Sequence, residues 1–129
     1  MSAFNRSQKA NILYVDDEDS IRALAKRFLE RMGYGVVTAH DGEAALRIYS
    51  NNPDRYDLVI LDSTMPRMSG SETLAHLLEV RPGVKVIISS GISSDEMKKK
   101  FLSHPISGFL QKPFDLSRLT AVIRKAINS

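Results

Sequence analysis

The sequence predicts an α/β protein built on a doubly wound, five-stranded parallel sheet, and three observations predict it. Five short apolar runs, at 12–15, 35–39, 58–61, 84–89 and 108–110, recur along the chain. The first and third are continuously apolar, as strands buried on both faces must be. Between the runs, apolar residues fall at three- and four-residue steps, the period of a helix. Strand then helix, five times over, implies a parallel sheet covered on both faces, because right-handed crossovers allow little else.

Each helix carries its own marks. The first is read from the stripe Ile21, Leu24, Ala25, Phe28 and Met32, with Asp19 expected as a cap and Gly33 as the stop. Asp41 stands where the second helix needs an N-cap, and Asp115 does the same for the fifth. Ser69 with Glu72, and Ser93 with Glu96, have capping-box spacing and start the third and fourth. Pro82 and Gly83 end the third helix, and Pro105 marks the loop after the fourth. The fifth shows the stripe Leu116, Leu119, Thr120, Ile123 and Ile127.

At 129 residues there is room for one domain, read as 11–128 behind a polar extension at 1–10. The chain stops as its fifth predicted helix ends, so no output domain is expected within it. Composition, 43% hydrophobic and 26% charged, is that of a globular chain rather than a disordered one. The absence of cysteine excludes disulfides, thiol chemistry and cysteine-ligated metals. The first ten residues lack the apolar core of a secretory signal. No apolar run approaches the roughly 20 residues of a membrane span, so a cytoplasmic protein is expected. The net charge of +3 is spread along the chain; its one dense run, Lys98, Lys99 and Lys100, has no aromatic interleaving. It reads as a solvated helix face, not a nucleic-acid surface. His40, His76 and His104 share no metal-ligand spacing.

In open α/β sheets function gathers at the carboxyl ends of the strands. Past the first strand come Asp16, Asp17, Glu18 and Asp19; past the third comes Asp62; the fourth ends in Ser89 and Ser90, and the fifth in Gln111 and Lys112. Carboxylates, a hydroxyl and a lysine are thus expected on one rim. Adjacent carboxylates repel unless a cation joins them, and oxygen ligands with no His or Cys nearby suit Mg²⁺. A carboxylate beside such a metal can attack phosphorus to give an aspartyl phosphate. The metal and Lys112 would offset charge on the phosphoryl oxygens, and Ser90 would donate to one of them.

These residues resemble the receiver domains of two-component response regulators. The segments that carry the resemblance are "ILYVDDE" at 12–18, "LVILDSTMPRMSG" at 58–70, "VIISSG" at 86–91 and "GFLQKPF" at 108–114. The separations agree too: 45 residues from Asp17 to Asp62, 28 on to Ser90 and 22 on to Lys112. The resemblance implies the flavodoxin-like receiver fold, (βα)5, with strand order 2-1-3-4-5. It implies that Asp62 is the phosphoacceptor and that Mg²⁺ is held by Asp17, Asp16, Asp62 and the backbone carbonyl of Thr64. Ser90, Lys112 and Thr64 would contact the phosphoryl group, and the Lys112–Pro113 bond would be cis. Ser90 is chosen over Ser89 because it precedes Gly91, which leaves room for that group. Ser90 and Phe109 would form the switch, with helix four, strand five and helix five as the readout face. Phe109 lacks the phenol of the family's commoner Tyr, and Thr64 would tune the lifetime of the phosphoryl bond.

The partner implied is a sensor histidine kinase or a histidine phosphotransfer protein, in a phosphorelay. The run 88–114 resembles receivers of hybrid histidine kinases, which favours a receiver cut from such a kinase over a free-standing regulator. Two other readings compete. Haloacid-dehalogenase-type phosphatases also form an aspartyl phosphate, but typically carry an Asp where Thr64 stands here. A degenerate receiver acting only as a binding module would be expected to lose part of the acidic pair, the acceptor or the lysine, and all are present. No separate substrate turnover is expected.

Overall fold

The computed structural model describes residues 9–65 and 68–129. The first eight residues of the predicted extension, and Pro66 and Arg67 of the motif at 58–70, lie outside the described residues. The apolar runs become strands β1 (Asn11–Val15), β2 (Gly35–Ala39), β3 (Leu58–Asp62), β4 (Val86–Ser90) and β5 (Gly108–Gln111). All pair in parallel, in the order β2-β1-β3-β4-β5. Every residue of β3 and β4 is buried, which is why their sequences do not alternate. The fourth strand starts later than its apolar run. Val84 is buried, but its N–H donates to the Arg81 carbonyl at 3.0 Å and closes a turn instead of joining the ladder.

Helices α1 (Asp19–Arg31), α2 (Gly42–Asn51), α3 (Gly70–Val80), α4 (Ser94–Lys100) and α5 (Leu116–Ile127) alternate with the strands. A 3-10 turn at Pro53–Arg55, not anticipated from the sequence, leads into β3. Four predicted caps form: Asp41, Ser69, Ser93 and Asp115 each accept the backbone N–H three residues on. In both Ser-x-x-Glu boxes the glutamate accepts the serine hydroxyl, at 3.3 Å. Gly33 ends α1 at φ +98°, a conformation that strains any side chain.

Asp19 is not a cap. The cap position belongs to Glu18, whose N–H is taken by Asp16 Oδ1 at 2.9 Å, so the helix begins at Asp19 itself. Asp19 instead pairs with Arg22.

The sheet divides the core in two. Leu13, Val15, Val59, Leu61, Val86 and Ile88 face α2, α3 and α4, where Ala45, Tyr49, Leu74, Leu77, Met97 and Phe101 are buried. Ile12, Tyr14, Leu58, Ile60, Ile87 and Leu110 face α1 and α5, against Ala25, Leu29, Leu119, Ile123 and Ala126. Each fully buried aliphatic side chain here contributes about 1.5–3 kcal/mol through burial. The α1 stripe is thus centred on Ala25 and Leu29; Leu24 lies on its flank, 61% exposed, and Leu116 on α5 is 40% exposed. No helix among the described residues is long and apolar enough to cross a membrane.

Candidate functional site

The alternation of a strand decides what its end presents. Asp16 follows Ile12 and Tyr14 in parity, Asp62 follows Leu58 and Ile60, and Lys112 follows Leu110, so all three belong to the α1–α5 side of the sheet. Because β1, β3, β4 and β5 run in register, these residues arrive on one rim. Lys112 Nζ donates to Asp16 Oδ2 at 2.8 Å and to Asp62 Oδ2 at 3.3 Å. Asp16 and Asp62 are both buried, whereas Asp17 is exposed. Carboxylate oxygens of all three lie within 4.8 Å of one another.

Each group is held by backbone. Asp16 Oδ1 accepts the Glu18 N–H, and Arg22 clamps the Asp16 carbonyl at 2.7 Å. Asp62 Oδ1 accepts the Thr64 N–H at 3.1 Å. The Lys112 N–H donates to the Ser90 carbonyl at 2.7 Å, tying the ends of β4 and β5 together. Ser90 is buried and its Oγ accepts the Ile92 N–H at 3.3 Å, while a Cβ built at Gly91 would meet nothing within 4 Å. Ser89, beside Asp62 in register, is buried as well. The Lys112–Pro113 peptide is cis. Phe109 is half-buried, packed against the α2–α4 half of the core.

Burial pushes the Asp62 carboxyl above its usual range, and the Asp16 charge adds to this; the Thr64 N–H and Lys112 oppose them. For Lys112, burial alone would favour loss of the proton, but the hydrogen bond to Asp16 and the charges of Asp62 and Asp16 win and raise its pKa. Three carboxylates therefore face one ammonium, and the cluster keeps excess negative charge. An all-oxygen donor set with such an excess fits a hard divalent cation and gives no foothold to a soft one.

Two contributors escaped the sequence reading. Arg22 shows a pairing signal, an Asp three residues before it, but nothing that points to the Asp16 carbonyl. Gly70 lets α3 abut the loop after β3: a Cβ there would fall 2.6 Å from Ser63 Cα and 2.9 Å from the Asp62 carbonyl oxygen.

The chain is similar to known proteins in sequence and in fold. The family model described as "Response regulator receiver domain" matches residues 12–124. The sensor kinase CckA of Brucella abortus is 34% identical over 125 residues, 97% of this chain and 13% of that protein. A response regulator receiver domain protein from Clostridium thermocellum superposes with a TM-score of 0.85 at 34% identity, covering 92% of this chain and 94% of its own. The CheX-CheY-BeF3-Mg²⁺ complex from Borrelia burgdorferi gives a TM-score of 0.84 at 29% identity, over 90% of this chain and 87% of that one. The curated relatives are longer proteins; this chain spans from 13% to 50% of the first of them.

Proposed function

The chain belongs to the response regulator receiver domain family, which serves two-component signalling, and from that premise we propose that Asp62 accepts a phosphoryl group from a phosphohistidine. The observation that carries this reading is the convergence of Asp62 with Asp16, Asp17 and Lys112 at the carboxyl rim of the sheet. The Asp62 carboxylate attacks phosphorus, an O–P bond forms, and the histidine N–P bond breaks with its electron pair leaving on the imidazole. The Thr64 N–H and Lys112 favour the ionised form of the nucleophile and so oppose the effect of its burial. As the phosphoryl group arrives, Lys112 and Ser90 take its oxygens.

Asp16, Asp17, Asp62 and the Thr64 carbonyl would hold Mg²⁺, as the Mg²⁺-bearing Borrelia relative suggests. When bound, the ion supplies positive charge for the transferring oxygens. Thr64 also stands where it would influence the water that later hydrolyses the acyl phosphate.

The partner is a histidine kinase or histidine phosphotransfer protein. An apolar groove of about 420 Å³ between α1 and α5, with exposed Leu24 and Leu116 on its walls, opens beside Lys112 and supports docking of such a donor there. Likeness to the sensor kinase CckA supports a place inside a hybrid kinase. The domain is read as 11–128. Phosphorylation draws the Ser90 hydroxyl toward the new oxygens, and half-buried Phe109 turns inward, changing the α4–β5–α5 face.

The test is incubation with acetyl phosphate and Mg²⁺, read by intact mass. One phosphoryl adduct is expected on the wild type, and none without Mg²⁺ or on Asp62→Asn. An adduct that forms equally without the metal, or survives the substitution, refutes the assignment.

A further inference from the structure

We propose that Arg22 and Asp19 act together as a positioning pair for the divalent-cation site: Arg22 fixes the direction of Asp17, and Asp19 cancels the charge that Arg22 brings. This rests on the reading above that Asp16, Asp17, Asp62 and the Thr64 carbonyl hold Mg²⁺. Asp16 is bonded at every polar atom. Its N–H donates to the Ala39 carbonyl at 3.1 Å, Oδ1 accepts the Glu18 N–H, Oδ2 accepts Lys112, and its carbonyl accepts Arg22 Nη1 at 2.7 Å. Asp17 differs. It is exposed, and its carboxylate accepts no hydrogen bond among the described residues, although it belongs to the cluster. The direction of its side chain is therefore set by backbone. The Asp16–Asp17 peptide is planar, so a bond that pins the Asp16 carbonyl oxygen also pins the Asp17 Cα. Arg22 makes that bond.

Arg22 is itself held by α1: its N–H donates to the Glu18 carbonyl at 3.0 Å, and Nη2 donates to Asp19 Oδ1. An exposed ion pair on a helix contributes little alone. The Arg22 side chain, however, is only 17% exposed, and its two terminal nitrogens bridge the helix and the end of β1. Charge accounts for the second member of the pair. Three carboxylates against one ammonium leave the cluster negative. A bare guanidinium beside Asp16 would reduce that negative field and repel a divalent cation. Paired with Asp19, the guanidinium positions the carboxylates without that repulsion. Asp19 thus has a role although it neither caps α1 nor belongs to the cluster. Positioning and repulsion predict opposite signs for the loss of Arg22: weaker Mg²⁺ binding in the first case, tighter in the second.

The test is calorimetric titration of Mg²⁺ into the full chain at low ionic strength. Arg22→Ala is expected to bind Mg²⁺ about 10–100-fold more weakly than wild type. Arg22→Lys, which can still donate to the carbonyl, is expected to lie between the two. Asp19→Asn should weaken binding about twofold to fivefold, a loss that shrinks as salt is added. Because Asp19 is exposed, that variant decides the matter if Arg22→Ala fails to fold. Lys26→Ala is the control. Lys26 also bridges a carboxylate and a carbonyl, those of Glu30 and Val36, one turn further along α1, and its loss should leave the affinity unchanged. Equal or tighter binding by Arg22→Ala overturns the proposal, as does an Asp19→Asn affinity that matches wild type at low salt. A loss in Lys26→Ala as large as that in Arg22→Ala overturns it too, since any disturbance of α1 would then suffice. A wild-type protein that takes up no Mg²⁺ would refute the cation reading itself, and the role of the pair with it.

Discussion

Replacing Gly70 with alanine tests how the acceptor loop is held against α3. The added Cβ would lie 2.6 Å from Ser63 Cα, 2.9 Å from the Asp62 carbonyl oxygen and 3.1 Å from the Ser63 carbonyl oxygen. All three are backbone atoms and cannot swing aside. Opening the shortest contact to an ordinary 3.4 Å moves the start of α3 and the loop apart by about 0.8 Å. That displacement strains the Gly70 N–H bond to the Ser63 carbonyl, which is already 3.3 Å long. Overpacking of this kind costs about 1–3 kcal/mol. Alanine recovers at most about 1 kcal/mol as the better helix former. Urea unfolding is therefore expected to show a net loss, together with slower labelling by acetyl phosphate as Asp62 moves. Gly91→Ala is the control, since nothing lies within 4 Å of a Cβ there; its stability should stay within about 0.5 kcal/mol of wild type. A Gly70→Ala protein as stable as wild type and labelled at the same rate would refute the close-approach argument.

Other expectations follow from the same geometry. Mg²⁺ should raise Tm, by an amount equivalent to about 2.7 kcal/mol at a hundredfold excess over Kd; Asp17→Asn should lose most of this shift in a melting titration. Burial raises the Tyr49 and Tyr56 hydroxyls above their ordinary 10.0, with Arg81 and Arg55 respectively opposing it. Their contribution to stability is intact below pH 10.0 and is lost as pH rises from there through the folded-state values, because the unfolded chain gives up these protons first. Alkaline unfolding curves should therefore flatten in Tyr56→Phe, and an unchanged slope would contradict the assignment. Asp41→Ala removes the 2.8 Å bond to the Ala44 N–H and should cost about 0.5–2 kcal/mol by urea unfolding.

Much of the fold was legible because its signals are local. Asp41, Ser69, Ser93 and Asp115 cap helices using only the next three residues, and the runs in β1 and β3 announce burial on both faces. The gathering of Asp16, Asp17, Asp62 and Lys112 on one rim followed from the rule for strand ends. What stayed hidden depends on partners distant in sequence or on competing local bonds. Asp19 reads as a cap only until Asp16 claims the Glu18 N–H. Leu24 fits a helical period as well as Leu29 does, and only the position of the sheet decides that Leu29 is buried. The grip of Arg22 on the Asp16 carbonyl and the contact of Gly70 with Ser63 require the assembled rim.

The central claim, that Asp62 is the acceptor, is tested most directly by trapping. The protein is phosphorylated with acetyl phosphate and Mg²⁺, reduced with borohydride, digested and mapped by peptide mass. Reduction of an aspartyl phosphate leaves homoserine, and the account predicts it at position 62 alone, with none in the unphosphorylated control. Homoserine at 16 or 17, or a phosphoryl group retained on a histidine, would contradict it.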